Sequence, residues 1–256
     1  MENVLVSIAG YDPSGGAGVL LDIAVFRRFG FPGAGLLTAV TAQNSRTVAA
    51  VRCLGGSFLY RQYETLVQDV GLAGIKVGML GGPGNIAALG RILANHEGLP
   101  VVVDPVFRSS SDRWLLDKKA VPSYLDKIKG RITLLTPNLD EASLISGRRL
   151  KKPEDMKVAA CKIVDIVAAP CLIKGGHLAG KAEDVLYDGR RFFLFPHKRI
   201  AKDVHGTGCF LSSSLLCYLV MKKPLVEACS LAIDFTQSAL NKARRLGKGR
   251  ATFLEF

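Results

Sequence analysis

The chain has 256 residues, 48% hydrophobic and 22% charged, which excludes a disordered protein and suits one large α/β domain over residues 1–256. Its apolar runs, such as 215–221, fall far short of the ~18 residues of a membrane span, and Met1-Glu2-Asn3 opens no secretory signal, so a cytoplasmic protein with no membrane partner is expected. The net charge is +12, but the basic clusters at 148–152 and 242–250 lack interleaved aromatics and lie at helix ends or the tail, so no nucleic-acid partner is expected.

Residues 4–9 are a β-rich run, 10–18 a glycine loop and 19–29 a helical pattern. The loop, Gly10 to Gly18, lacks the Lys-Ser/Thr ending of a Walker A and does not fit G-x-G-x-x-G. It either closes backbone amides over a small substrate, with Asp22 one turn into the helix, or is a plain tight connection. A second strand, 35–42, ends in Gln43 and Asn44, carboxamides that can read the ring nitrogen and amino group of a heterocycle. Residues 45–54 alternate like an edge strand or flap, and 57–70 read as a helix with Phe58, Leu59, Tyr63, Leu66 and Val70 inward.

Further strands follow at 75–80 and 100–105, with a helix opened by Pro83 between them. Ligands bind at the C-terminal ends of strands in open parallel sheets, so Asp104 suits a metal or phosphate site better than packing. Residues 107–114 are polar and unpatterned, as in a mobile loop or lid. After a strand at 132–136, Asn138 and Glu141 stand at capping-box spacing in a helix that stops at Gly147; on these residues alone the cap reading prevails. Pro153 starts the next helix, and strand 170–174 delivers Lys174, partly desolvated ahead of Gly175, Gly176 and His177, to meet a phosphate as a point charge. Two alternating runs within 184–195, about Asp188 and Gly189, signal a hairpin.

Two helices, 207–221 and 224–245, close the chain. The amides of Gly206, Thr207, Gly208 and Cys209 stand at a helix start with no intrahelical carbonyl to bond, and can converge on an oxyanion or phosphate. The helix dipole there favours a thiolate, so the pKa of Cys209 is expected below the ordinary ~8.5 and the residue is a candidate base; the alternative is a small core cysteine. Six cysteines with no C-x-x-C pair and no His at ligand spacing argue against zinc and leave free thiols.

In this order, the segments 9–18, 41–44, 76–80, 103–106, 136–142, 174–177 and 205–209 resemble the ribokinase-like superfamily, and within it the hydroxymethylpyrimidine/phosphomethylpyrimidine kinases of thiamine biosynthesis. The resemblance implies a three-layer αβα fold with a mainly parallel central sheet and a small antiparallel hairpin or edge. It implies ATP and Mg²⁺ as cofactors, an aminopyrimidine as substrate, and a homodimer is the expected assembly. Gly206, Thr207, Gly208 and Cys209 would form the anion hole for the transferred phosphoryl group, with Cys209 as base. Lys174 would touch the ATP phosphates, as would Asn138, Thr207 and Gly208. Glu141, Asn138 and Asp104 would order Mg²⁺. Gln43 would recognise the aminopyrimidine, with Asp22 near its hydroxymethyl end and Gly10 lining the pocket. Two segments depart from the family pattern: Arg108 to Asp112 replaces a Lys-Ser-Gly lid, and Gly247 to Thr252 replaces Gly-Lys-Gly-x-Gly-Pro. A pyridoxal-type kinase and a non-catalytic pyrimidine-binding relative are the competing readings.

Overall fold

The structure, a computed structural model, describes residues 3–109, 113–176, 182–199, 204–245, 247–253 and 256. Its first half alternates strand and helix: β1 (Asn3–Tyr11), α1 (Gly18–Arg28), β2 (Gly33–Gln43), β3 (Val48–Cys53), α2 (Gly56–Val67), β4 (Gly71–Val77), α3 (Pro83–Ala94) and β5 (Val101–Val103). The second half continues with α4 (Val121–Ile128), β6 (Leu134–Leu135), α5 (Leu139–Ser146), α6 (Pro153–Val167), β7 (Cys171–Ile173), β8 (Ala182–Tyr187), β9 (Phe192–His197), α7 (Thr207–Val220) and α8 (Leu225–Lys242).

One sheet holds β1 to β9 in the order β3-β2-β1-β4-β5-β6-β7-β8-β9. The run from β2 to β7 is parallel throughout, while β3 pairs antiparallel on one edge and the β8–β9 hairpin antiparallel on the other. Strand order departs from β1 in both directions, so the border of β1 and β4 is a topological switch point, where a crevice opens at the C-terminal ends of the strands.

Alternation along each strand splits the apolar residues between two layers. Val6, Ile8, Val101 and Val103 pack with residues of α2 to α6, whereas Leu5 and Val102 pack with residues of α1, α7 and α8. Helices therefore cover both faces, as the βα alternation predicts. In α7, Phe210, Leu215, Leu216 and Cys217 are fully buried, and burial of each large side chain contributes about 1.5–3 kcal/mol. That packing fixes the start of α7 against the sheet edge. Among the described residues, no helix is long and apolar enough to cross a membrane.

Three expectations need correction. Phe58 is exposed, not inward: α2 begins at Gly56 and turns Leu59 and Tyr63 to the core, which leaves Phe58 about 100° away on the outer face. Phe107 is buried and stacks edge-on against Tyr124, so it is a core residue and not part of a polar lid. Arg108 and Trp114 bridge, and the Arg113 guanidinium donates to the carbonyls of Val48 and Ala49, so both ends of this segment are anchored. Residues 110–112 lie outside the described residues.

Candidate active site

The parallel strands deliver their C-terminal ends to one edge. Gly10 lies at the end of β1, Gln43 at the end of β2, Asp104 just beyond β5 and Lys174 just beyond β7. Asn138 follows β6 and forms an isolated bridge with Lys174, whose amide donates to the Pro137 carbonyl at 2.9 Å. His177 and Asp203, which flank this edge in the sequence, lie outside the described residues.

The anion turn is built on glycine geometry. Gly206 is the N-cap of α7 with φ of 85°, a left-handed conformation that favours glycine, and as a glycine it offers no side-chain cap to the first turn. The first amides of α7 have no intrahelical carbonyl to bond, as at any helix start. A Cβ on Gly206 would run into the carbonyl oxygen of Gly16, so the turn packs backbone to backbone on the glycine loop after β1. A Cβ on Gly208 would stand 3.0 Å from Asp104 Oδ2 and 3.1 Å from Lys174 Nζ. Helix amides, a carboxylate and an ammonium thus meet at one point. The Thr207 hydroxyl is already engaged, donating to the Val204 carbonyl at 3.0 Å.

Lys174 and Asp104 form an ion pair of 2.6 Å. Glu141 and Asn138 make the reciprocal cap read from the sequence: the Asn138 side chain accepts from the Glu141 amide at 2.9 Å, and Glu141 Oε2 accepts from the Asn138 amide at 2.8 Å. Burial pushes the Glu141 carboxyl up to about 8 against the pull of Lys174, with Asp104 adding to the rise. Such a site gains from a second cation. Among the described residues no group of three or more His, Cys, Asp or Glu side chains could hold a metal by itself. The two carboxylates, Asp104 and Glu141, nevertheless fit Mg²⁺, which takes one or two protein carboxylates and completes its shell with water and substrate phosphates.

Cys209 is half-buried in the first turn of α7, and its thiol differs from the sequence expectation. Burial raises its pKa above the ordinary thiol value, the ammonium of Lys76 opposes the rise, and the charges of Asp22 and Asp104 add to it. The sequence reading considered only the helix dipole, and not this burial or these carboxylates. Asp22 also departs from expectation. It has no exposed surface and accepts from Lys76 at 2.9 Å, from Ser7 Oγ at 2.6 Å and from Ser213 Oγ at 2.8 Å, so it does not face the cleft. It joins β1, α1, β4 and α7 under the site. Asn44, paired with Gln43 in the sequence reading, caps its own turn by accepting from the amides of Arg46 and Thr47.

Gln43, at the end of β2, meets two residues that sequence reasoning had not singled out. Its Nε2 lies 3.2 Å from Asp12 Oδ2 and 2.8 Å from His205 Nε2. Both partners stand inside motifs already recognised, Asp12 in the glycine loop and His205 just before the anion turn. The buried Lys76 was missed too, although a lysine between Ile75 and Val77 in an apolar strand signals a buried partner.

Residues 12–253 match the family described as phosphomethylpyrimidine kinase. The chain belongs to this family. The hydroxymethylpyrimidine/phosphomethylpyrimidine kinase of Aquifex aeolicus is 38% identical over 96% of this chain and 97% of its own length. The crystal structure of the phosphomethylpyrimidine kinase of Clostridium difficile 630 superposes with a TM-score of 0.82 at 31% identity, over 93% of this chain and all of that one. The pyridoxal kinase from Staphylococcus aureus in complex with AMP-PCP and pyridoxal gives a TM-score of 0.89 at 30% identity, over 99% of this chain and 93% of that one. The ribokinase-like, mainly parallel αβα architecture of the phosphomethylpyrimidine kinases is thus the fold of this chain.

Proposed function

We propose that this protein transfers the γ-phosphoryl group of ATP to 4-amino-5-hydroxymethyl-2-methylpyrimidine and then to its monophosphate, giving the pyrimidine diphosphate used in thiamine biosynthesis. The observation that carries this reading is the meeting at Gly208 of uncapped α7 amides, the Lys174 ammonium and the Asp104 carboxylate. Phosphoryl transfer asks a protein chiefly for positioning and for fixed positive potential at the transferred group, and this constellation supplies both.

In this reading Lys174 holds the ATP phosphates, and the amides of Thr207, Gly208 and Cys209 receive charge on the γ-phosphoryl group. Cys209 accepts the substrate proton. Burial raises this thiol's pKa and the Lys76 ammonium opposes the rise, so Cys209 first releases its own proton to solvent and then, as the thiolate, takes the hydroxyl proton, which a loose transition state gives up late. Mg²⁺, held by Asp104 and Glu141 beside Asn138, would neutralise charge on the phosphates. Gln43 reads the aminopyrimidine, Gly10 lines the pocket floor against Met79, and Asp22 braces α7 from below.

Pyridoxal is the second reading, favoured by the likeness to the S. aureus pyridoxal kinase. Turnover with each alcohol under the same MgATP concentration tests both. Formation of the pyrimidine mono- and diphosphate supports the first reading; turnover of pyridoxal alone overturns it in favour of the second.

A further inference from the structure

Asp12, Gln43 and His205 come from three segments and close a triangle. His205 Nε2 lies 2.8 Å from Asp12 Oδ2 and 2.8 Å from Gln43 Nε2, and Gln43 Nε2 lies 3.2 Å from Asp12 Oδ2. A count of protons shows that the three contacts are not all hydrogen bonds at once. Burial pushes the Asp12 carboxyl up, but hydrogen bonds from His205 and Ser14 bring it below its ordinary value, so it is ionised and accepts only. The short contact to His205 then needs the proton on Nε2, and a protonated Nε2 has no lone pair for the Gln43 amide nitrogen.

Turning the carboxamide end for end gives Gln43 Oε1 to the His205 N–H but sets it against the Asp12 carboxylate. It also brings the NH2 group to the Thr41 hydroxyl, which is 3.4 Å from that end of the amide. Thr41 Oγ1 donates to the Tyr11 carbonyl at 3.0 Å and keeps lone pairs to accept from that NH2. In either orientation of the carboxamide one contact is unfavourable, so its orientation is decided by which nitrogen of His205 carries the proton.

We propose that His205, locked by Asp12, is a positioning residue that selects the orientation of the Gln43 carboxamide and thereby the ring the site prefers. A 4-aminopyrimidine presents an amino donor beside a ring-nitrogen acceptor, and one carboxamide of fixed orientation satisfies both. Pyridoxal has no amino group beside its ring nitrogen and gains nothing from that orientation. This inference rests on the reading that Gln43 meets the ring. His205 also packs on the glycine loop, where a Cβ on Gly16 would stand 2.7 Å from His205 Cδ2. A residue that merely braced the anion turn would act on catalysis with every substrate alike.

The test is titration calorimetry of the hydroxymethyl aminopyrimidine and of pyridoxal, with kcat measured alongside, for the full chain and for His205→Leu, His205→Gln, Asp12→Asn, Gln43→Ala and the Gln43→Ala/His205→Leu pair. His205→Leu and Asp12→Asn should weaken the aminopyrimidine about tenfold, the size of one well-placed hydrogen bond, and leave pyridoxal within about twofold. His205→Gln, which keeps an N–H donor at similar reach, should restore most of the loss. The double variant should bind no worse than Gln43→Ala, because the two residues act as one unit. Equal weakening of both rings, additive losses, or a fall in kcat with both affinities unchanged would overturn the inference. If Gln43→Ala weakens the aminopyrimidine and neither His205→Leu nor Asp12→Asn does, the inference alone falls. If Gln43→Ala changes nothing, the ring-reading role of Gln43 falls and takes the inference with it.

Discussion

Lys174 Nζ sits 2.6 Å from Asp104 Oδ1, an ion pair that spans the ends of β7 and β5 over the intervening β6. The cation is held in place before any nucleotide arrives, so little ordering is left for ATP to impose. Lys174→Ala should raise the KM for ATP by about 10–100-fold, the range of a charge-assisted hydrogen bond, and lower kcat as well. Affinity for the aminopyrimidine should be unchanged. Steady-state kinetics with each substrate varied in turn checks this, and a matched loss of both affinities would contradict the division of the cleft.

Gln43→Ala should do the converse. The KM for the aminopyrimidine should rise about tenfold while the KM for ATP stays put, since Gln43 lies at the end of β2, on the far side of β1 and β4 from Lys174.

Cys209→Ala should reduce kcat by ~10²–10⁴ with little change in KM, the usual worth of a positioned general base. Cys209→Ser should fare little better. Because burial raises this thiol above the ordinary value, alkylation of Cys209 in the nucleotide-free protein, followed by peptide mass spectrometry, should show a pH midpoint above that of a free thiol. Near wild-type turnover in folded Cys209→Ala would remove its chemical role and leave the anion turn as the catalytic element.

Gly206→Ala should impair both stability and turnover. The residue has φ of 85°, and an added Cβ meets the Gly16 carbonyl, so the turn and the glycine loop must part. Thermal melts should show a lower Tm than for Gly30→Ala, a position that also has positive φ but open space around it. Equal Tm losses would show that φ alone, and not the loop contact, sets the cost.

His197 gives a pH signature. The hydrogen bond to Asp184, 3.2 Å long, raises its pKa above the ordinary value, with burial opposing. A histidine whose folded pKa is raised stabilises fully below its unfolded value of ~6.5 and loses that contribution as pH rises through the folded value. The Tm advantage of the natural protein over His197→Gln should therefore be largest below pH ~6.5 and shrink above it. A constant difference across that range would assign His197 a packing role only.

Much of this molecule is legible in the chain because its signals are local. Strand runs, Pro83 and Pro153 at helix starts, Gly147 in left-handed conformation after α5 and the capping box at Asn138 all depend on neighbours a few residues away. The convergence of Lys174, Asp104 and the turn at Gly206 to Cys209 was also legible, since strand ends in a parallel sheet share one edge. What was not legible depends on partners far along the chain. Asp22 is one turn into α1, as read, but whether it faces a cleft or a lysine depends on Lys76 and Ser213, 54 and 191 positions away. The direction of the Cys209 thiol was misread for the same reason: the helix dipole is visible locally, while the burial and carboxylates that raise its pKa are not.

The Ser213–Asp22 hydrogen bond joins positions 191 residues apart, and it ties α7 to the first helix under a strand pair in the middle of the sheet. During synthesis the ribosome releases β1, α1 and β4 long before α7 and α8, so the face of the nascent sheet that these helices cover stays bare meanwhile. At roughly 5–20 residues per second that interval lasts on the order of ten seconds or more, long enough for an exposed apolar sheet to invite chaperone binding. The arrival of α7 both covers that face and brings Gly206 to Cys209 to the strand ends, so burial of the apolar sheet and assembly of the site are one late event in the life of the chain.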